Sequence, residues 1–522
     1  VASDASRTIA TLNKAVVYAS SNNPDKSNIL STIAAVQIVS KNIESLMKSG
    51  AATGSVETTV NRTTGSTLTN AIATAGATVG DVTGDGLPDP LLLPSPPASG
   101  GGGGSGSTSP STAQSYLATN ATAFTGTSAN DILSVSTAAT WTPLVMTSVI
   151  LDGDTGTNTL SVQDGSSIAA AIVINFPNLT FDATGVTGTN DVTLSASQNQ
   201  LFTGTITAAG TGANGEKITI VSDGAITTLT DVENYTVGDD STNARTITVS
   251  NAGTNVTANS ATDANTFNLG TLTYTGTLTG DNTVDDILSL STGADVSGGT
   301  IASVEALTLA SGATVTLTAS QNQSFTGAIT AAGSGAGGEK ITIEGDGAVT
   351  ALSNIESYEL GDDTTNARTL TTGSAALNLI ANNATDTVTI NAAALAQNTE
   401  LTIAAASASA LAVNSLAGNI VASNLTGTLA ITTANAADNG ISITTGTAAA
   451  SVNVAAGAAT DTVSIDTTAL VNNTALSITS GGAAAGTVNI TGLTGNLTIS
   501  NPTSGTIGVT VTDNAVDDGI AI

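Results

Sequence analysis

Few side chains in this sequence have the chemistry of a site, and most of those recur in pairs. Asp81, Thr83, Asp85 and Asp89 fall at positions 1, 3, 5 and 9 of DVTGDGLPDP, the spacing of an EF-hand-like loop with Gly86 at its turn. Position 12 is Leu92 and no helix-length pattern follows, so a calcium loop and a plain acidic turn both stand. The other constellation is basic. Lys217 and Lys340 each follow a Gly-Glu pair, and Arg245 and Arg368 close GDDSTNAR and GDDTTNAR. An arginine beside two carboxylates has the ingredients of a lyase site, and two carboxylates at the right separation those of a glycosidase. Duplication at a fixed offset of 123 residues favours a structural ion pair or a contact between subunits instead. We expect no enzyme. The 522 residues contain neither histidine nor cysteine, which removes Ser-His-Asp and Cys-His chemistry, a histidine general base, disulfides and the usual zinc sites.

Net charge is −30, which argues against nucleic-acid binding because nothing offsets phosphate repulsion. Six of the ten basic residues (Arg7, Lys14, Lys26, Lys41, Lys48, Arg62) lie in the first 62 positions. The remaining 460 hold Lys217, Arg245, Lys340 and Arg368 against 36 acids. A near-neutral head therefore precedes an acidic body, which repulsion keeps soluble and whose oxygens suit calcium.

Two amphipathic helices are expected over residues 1–50. Ile9, Leu12 and Val16 share one face, Asn22-Asn23-Pro24-Asp25 breaks the run, and Ile29, Ile33, Val36, Ile43 and Met47 line a second. A helical hairpin, or a segment packing on a neighbouring subunit, fits that pattern. Residues 51–112 hold the Thr/Gly-rich stretch, the acidic loop and a Pro-then-Gly linker with five glycines from Gly100 to Gly104.

From residue 113 the pattern reads as all strand. ITIVS, YTVG, TITVS, VTLTA and TVTIN are short, rich in Thr, Val and Ile, and separated by Gly, Asn, Asp and Ser. Aromatics are only 2%. A sandwich of this length would carry more, whereas small branched residues stacked rung on rung suffice for a β-solenoid. A mostly β chain with a β-solenoid body is the first expectation, and tandem β-sandwiches the second. TLSASQNQLFTGTITAAG at Thr193 returns as TLTASQNQSFTGAITAAG at Thr316, which sets a β-repeat domain over 113–372. From 373 to 522 the period becomes 75: ATDTVTINAAAL at Ala384 answers ATDTVSIDTTAL at Ala459. Within the larger repeat, Val232-Glu233-Asn234-Tyr235, Val304-Glu305-Ala306-Leu307 and Ile355-Glu356-Ser357-Tyr358 share one motif. Its Val/Ile and Tyr/Leu should point inward and its Glu outward or to a corner. Asp-Ile-Leu-Ser strands at Asp131 and Asp286 precede members of this series.

These features resemble RTX-associated S-layer proteins of Gram-negative bacteria, of the kind found in Caulobacter. The likeness spans roughly 114–522 and rests on the Thr/Ala/Gly/Val body, the missing cysteine and the V/I-E-x-apolar rungs. It implies type I secretion, a β-solenoid with bound calcium, and tiling of the bacterial cell surface. The calcium nonapeptide GGxGxDxUx is absent, so no ligand set transfers residue by residue. The nearest counterparts are acidic turns: Asp131, Asp239-Asp240 and Asp362-Asp363.

A secreted, calcium-stabilised subunit that assembles with copies of itself into a lattice or filament is the expected function. Lys217, Arg245, Lys340 and Arg368 are its candidate assembly contacts, and cell-surface polysaccharide is a further partner. A large repetitive adhesin is the alternative. No apolar run reaches the length of a membrane span. The start at Val1, without Met or a signal pattern, and the stop in mid-pattern lead us to expect a mature product or a piece of a longer array.

Overall fold

The computed structural model describes residues 115–118, 123–135, 145–182, 191–208, 215–238, 244–258, 264–331, 338–361, 368–381, 387–406, 410–434, 440–455, 462–480, 486–500 and 507–513. All belong to one compact unit, Thr108–Ile522. The helical hairpin expected over 1–50, the loop Asp81–Asp89, and Asp239, Asp240, Asp362 and Asp363 lie outside the described residues.

The body is a parallel β-solenoid. Its 38 described strands alternate between two sides and, within each of five sheets, pair with the strand two places along the chain. The first side holds three sheets: five strands from Ser115–Ala118 to Ile206–Ala208, six from Ile226–Thr227 to Ile329–Ala331, and eight from Ala348–Thr350 to Asn496–Ser500. The second side holds two: nine strands from Phe124–Thr125 to Thr300–Ala302, and ten from Thr314–Thr318 to Gly508–Asp513. A turn takes about twenty residues, as the pairings Thr246↔Thr266, Thr266↔Ile287 and Ile287↔Ala306 illustrate.

Alternation within strands explains the composition. In Lys217–Ile220 and Asn255–Ala258, Ile218, Ile220, Val256 and Ala258 are enclosed while the intervening polar residues face out. Parallel register stacks like on like: Ile218 on Tyr235 on Val256, and outside them Thr219 on Thr236 on Thr257. β-branched residues suit this pleated surface, and each enclosed aliphatic side chain contributes about 1.5–3 kcal/mol. The few aromatics serve the same core, with Tyr235, Tyr274, Tyr358, Phe176, Phe181 and Phe267 all buried.

The two sequence periods mean different things in three dimensions. The 123-residue repeat carries Asp191–Leu194 onto Thr314–Thr318, twelve strands later, so its copies fall on the same side. The 75-residue repeat carries Thr387–Asn391 onto Thr462–Asp466, seven strands later. An odd number puts its copies on opposite sides, in the eight-stranded and ten-stranded sheets respectively. Strand pairing continues on both sides of residue 372, where the period changes.

The all-strand expectation for the body needs one correction. Two short helices, α1 (Ala196–Asn199) and α2 (Ala319–Ser324), each stand where pairing on the first side stops. Four to six residues are too few to show a helical period, so hydrophobic spacing could not reveal them.

Candidate functional site: buried amides, corner carboxylates and two unlike sides

The repeated ASQNQ is a set of amides with fixed partners. Ser195 caps α1 in a capping box: its Oγ accepts from Gln198 N at 3.2 Å, and its N–H donates to Gln198 Oε1 at 2.8 Å. The Gln198 amide nitrogen then donates to Ile168 O and Ala171 O, both at 2.7 Å. Those carbonyls lie in Ser167–Ile174, a strand whose one forward pair is at Ser167 and whose backward ladder shifts register between Ser167 and Ala170 and again before Ile172. The glutamine serves carbonyls in this irregular stretch. Asn199 donates to Thr227 O at 2.8 Å and Gln200 to Ala225 O at 3.1 Å, tying α1 to the next turn. Tyr235 completes the network, donating its hydroxyl proton to Asn199 Oδ1 at 3.1 Å and accepting from Leu229 N at 2.8 Å.

The second copy repeats every bond. Gln321 donates to Val296 O and Gly299 O, Asn322 to Thr350 O, Gln323 to Ala348 O, and Tyr358 to Asn322 Oδ1 while accepting from Leu352 N. Burial pushes both phenols well above their usual range. Buried polar groups without partners are costly, so full satisfaction is the condition for placing amides here. Sequence reading registered the duplication but assigned these amides no role; the signal was the unchanged pentapeptide itself.

The carboxylates gather at corners. Asp131 is fully enclosed, and its Oδ2 accepts from Thr127 N at 2.5 Å while both its oxygens lie 3.0–3.1 Å from Thr127 Oγ1. Its own N–H donates to Asn158 Oδ1 at 2.8 Å. Asp286, in the other Asp-Ile-Leu-Ser strand, accepts from Asn265 N at 2.6 Å and Asp281 N at 2.7 Å. Glycine precedes both loops for a steric reason. A Cβ on Gly126 would come within 2.8 Å of Asp131 Oδ2, and one on Gly280 within 2.3 Å of Asp286 Oδ2. Burial, with Glu305 nearby, pushes Asp286 up to about 6, and burial beside Asp285 and Asp281 raises Glu305.

The V/I-E-x-Y motif forms another corner. Val232, Tyr235, Val304, Leu307, Ile355 and Tyr358 point inward, Glu305 and Glu356 are half-buried, and Glu233 is exposed. Glu233 Oε2 accepts from Glu216 N at 2.9 Å and Glu356 Oε2 from Glu339 N at 3.0 Å. Burial, then a side-chain hydrogen bond with Glu339, raises Glu356. These carboxylates hold backbone N–H groups of the neighbouring turn.

The basic residues are engaged within the chain. Arg245 is enclosed, donates Nη1 to Gly238 O at 2.7 Å, and holds Nη2 4.0 Å from Asp223 Oδ1. Arg368, also buried, donates to Ile343 O at 3.3 Å. Lys217 pairs with Asp191 of the preceding turn at 3.0 Å, whereas Lys340 pairs with Glu359 of the following one. The counterparts of Asp191 and Glu359 in the other copy are Thr314 and Thr236. The repeat therefore keeps each lysine half-buried beside one acid, while the acid moves from one neighbouring strand to the other.

Of the expected calcium ligands the structure describes only Asp131, whose carboxylate already receives an N–H and a hydroxyl in an enclosed corner. Calcium takes six to eight oxygens. Among the described residues no group of three or more Asp and Glu could hold a metal ion, and no helix is long and apolar enough to cross a membrane.

The two sides differ in charge. Among strand residues whose side chains are described, the second side presents Asp152, Asp191, Lys217, Lys340, Glu344, Glu359, Glu400 and Asp466. The first side has only Arg368, and that is buried. Compared with protein-family models, curated proteins and solved structures, the chain matches none, so the fold stands on its own geometry: a two-sided β-solenoid repeat protein.

Proposed function

We propose that this chain is the subunit of a self-assembling extracellular structure, an S-layer lattice or a filament on the bacterial surface, with a structural role and no catalytic one. What supports it most is that the same polar set recurs after 123 residues in the same architectural duties. An active site has no need of a second copy of its glutamine, asparagine and tyrosine in identical contacts; a stacked scaffold does. The resemblance to RTX-associated S-layer proteins points the same way, as do the missing cysteine and histidine.

Calcium is proposed as the counterion of assembly. A chain of net charge −30 must overcome self-repulsion to associate, and a divalent cation shared between acidic turns lowers that cost. The candidate turns are Asp239-Asp240, Asp362-Asp363 and the Asp81–Asp89 loop, rather than the enclosed Asp131. Sedimentation velocity of the purified chain in calcium and in EDTA tests both parts. Large, calcium-dependent species are expected. A monomer in both buffers would overturn the assembly reading, and assembly indifferent to EDTA would overturn the calcium part alone.

A further inference from the structure

The difference in charge between the two sides identifies which one a second copy covers. The six-stranded and eight-stranded sheets of the first side present Thr, Ser, Asn, Ala and occasional Ile outward through fourteen strands, and the one ionisable residue in those strands, Arg368, is buried. Eight of the 40 acids fall in the described strands, and none of the eight is in these fourteen.

The 75-residue repeat supplies an internal control, because it lays one sequence unit on both sides. Asn391 on the first side corresponds to Asp466 on the second. Glu400 on the second side corresponds to Ala475 on the first. Asn391 and Asp466 each end their strand, Glu400 and Ala475 each begin theirs, and Asn391, Glu400 and Ala475 are exposed. At both positions the acid occurs in the copy facing the second side, in the earlier copy once and in the later copy once. At these two positions charge follows the side and not the copy, whereas Asp386 and Asp461, just before the strands, are the same in both copies.

We propose that the first side is the interface to a second copy of this chain, packed sheet face to sheet face; this rests on the assembly reading above. The missing charge is what selects that partner. Any carboxylate covered by a partner loses its hydration without compensation, and one facing a second copy of this chain, net charge −30, meets like charge as well. A sugar surface would also be expected to meet exposed aromatic rings, and Tyr235, Tyr274, Tyr358, Phe176, Phe181 and Phe267 are buried. Small side chains in parallel register let two sheets approach closely, as in dry sheet-to-sheet packing. Fourteen strands about 4.8 Å apart, with outward faces about 13 Å wide, present about 900 Å² per copy. A stable interface needs roughly 800 Å² per partner.

The test uses the full chain under conditions where the parent assembles. Thr389→Glu, Ser451→Glu and Thr498→Glu together charge the first side; Ser442→Glu, Ser464→Glu and Thr510→Glu charge the second. Sedimentation should show association weakened at least tenfold for the first set and changed less than twofold for the second. In parallel, since the chain has no cysteine, Ser451→Cys should lose thiol labelling on assembly while Ser464→Cys keeps it. This footprint needs no charged variant to fold. Equal weakening by both sets, or Ser451→Cys labelled equally in monomer and assembly, overturns the proposed face while leaving assembly standing. A parent chain that never associates overturns the assembly reading and this inference with it.

Discussion

Replacing Tyr235 with phenylalanine removes one oxygen and orphans a buried amide oxygen and a half-buried backbone N–H. The hydroxyl accepts from Leu229 N at 2.8 Å and donates to Asn199 Oδ1 at 3.1 Å, and Asn199 has no exposure to solvent. Phenylalanine fills nearly the same volume, so packing loss is small and the effect isolates the hydrogen bonds. An unsatisfied buried donor or acceptor costs about 1–3 kcal/mol, and relief from burying the hydroxyl offsets part of two such losses. A net destabilisation of about 2–4 kcal/mol is expected. Tyr358→Phe should lose the same amount, because Leu352 N and Asn322 Oδ1 repeat the geometry at 3.0 Å each. Tyr274→Phe is the control. It removes one bond, to Thr254 O at 2.7 Å, and leaves only a carbonyl short of a partner, so about 1 kcal/mol is expected. Urea unfolding gives the totals, and amide exchange at Leu229 and Leu352 should quicken in the matching variant alone. Losses below 0.5 kcal/mol for both tyrosines, or a difference above 1 kcal/mol between them, would refute the duplicated network as a holder of the turns.

Three further outcomes follow from the same geometry. Gln321→Leu leaves Val296 O and Gly299 O without their donor and should cost about 2 kcal/mol, read from thermal unfolding; a neutral result would mean the bend does not need its amide. Stability should rise as pH falls from 7.5 to 4.5, because Asp286, pushed up to about 6 from 3.8, binds its proton more tightly folded than unfolded. That contribution is fully present below pH 4 and is lost as pH rises through 6. About two pK units correspond to about 3 kcal/mol, to which Glu305 and Glu356, also raised, add in the same direction. Asp286→Asn should flatten the profile, and an unchanged slope would remove Asp286 as its source. Finally, Glu359→Thr with Thr314→Asp moves the partner of Lys340 to the preceding strand, the arrangement Lys217 already has. Stability should stay within 0.5 kcal/mol, since such a half-exposed pair is worth little and either strand can supply it. A loss above 1.5 kcal/mol would show the two positions are not equivalent.

The solenoid was legible because few other folds are served by Thr-Val-Ile alternation over hundreds of residues with so few aromatics. The inward Tyr235 and Tyr358 and the corner glutamates were also readable, since an alternating strand fixes which neighbours share a face. Three things were not. The helices α1 and α2 are shorter than any period that could announce them, and they appear only through the carbonyls their amides reach. Arg245 and Arg368, candidates for a structural ion pair or a contact between subunits, are buried and donate to backbone carbonyls inside the turns, Arg245 also lying 4.0 Å from Asp223, and carbonyls leave no mark in a sequence. The side on which a strand falls depends on counting every strand before it. Thr387–Asn391 and Thr462–Asp466 read alike but lie on opposite sides because seven strands separate them. Charge follows that count, as Asn391 and Asp466 differ where their neighbours agree.

Electron microscopy of the purified chain in calcium tests the central claim most directly. Ordered sheets or filaments built from this chain alone are expected, dispersing when EDTA is added and re-forming when calcium returns. Single, unassociated particles at every calcium and protein concentration would contradict the structural role proposed for this solenoid.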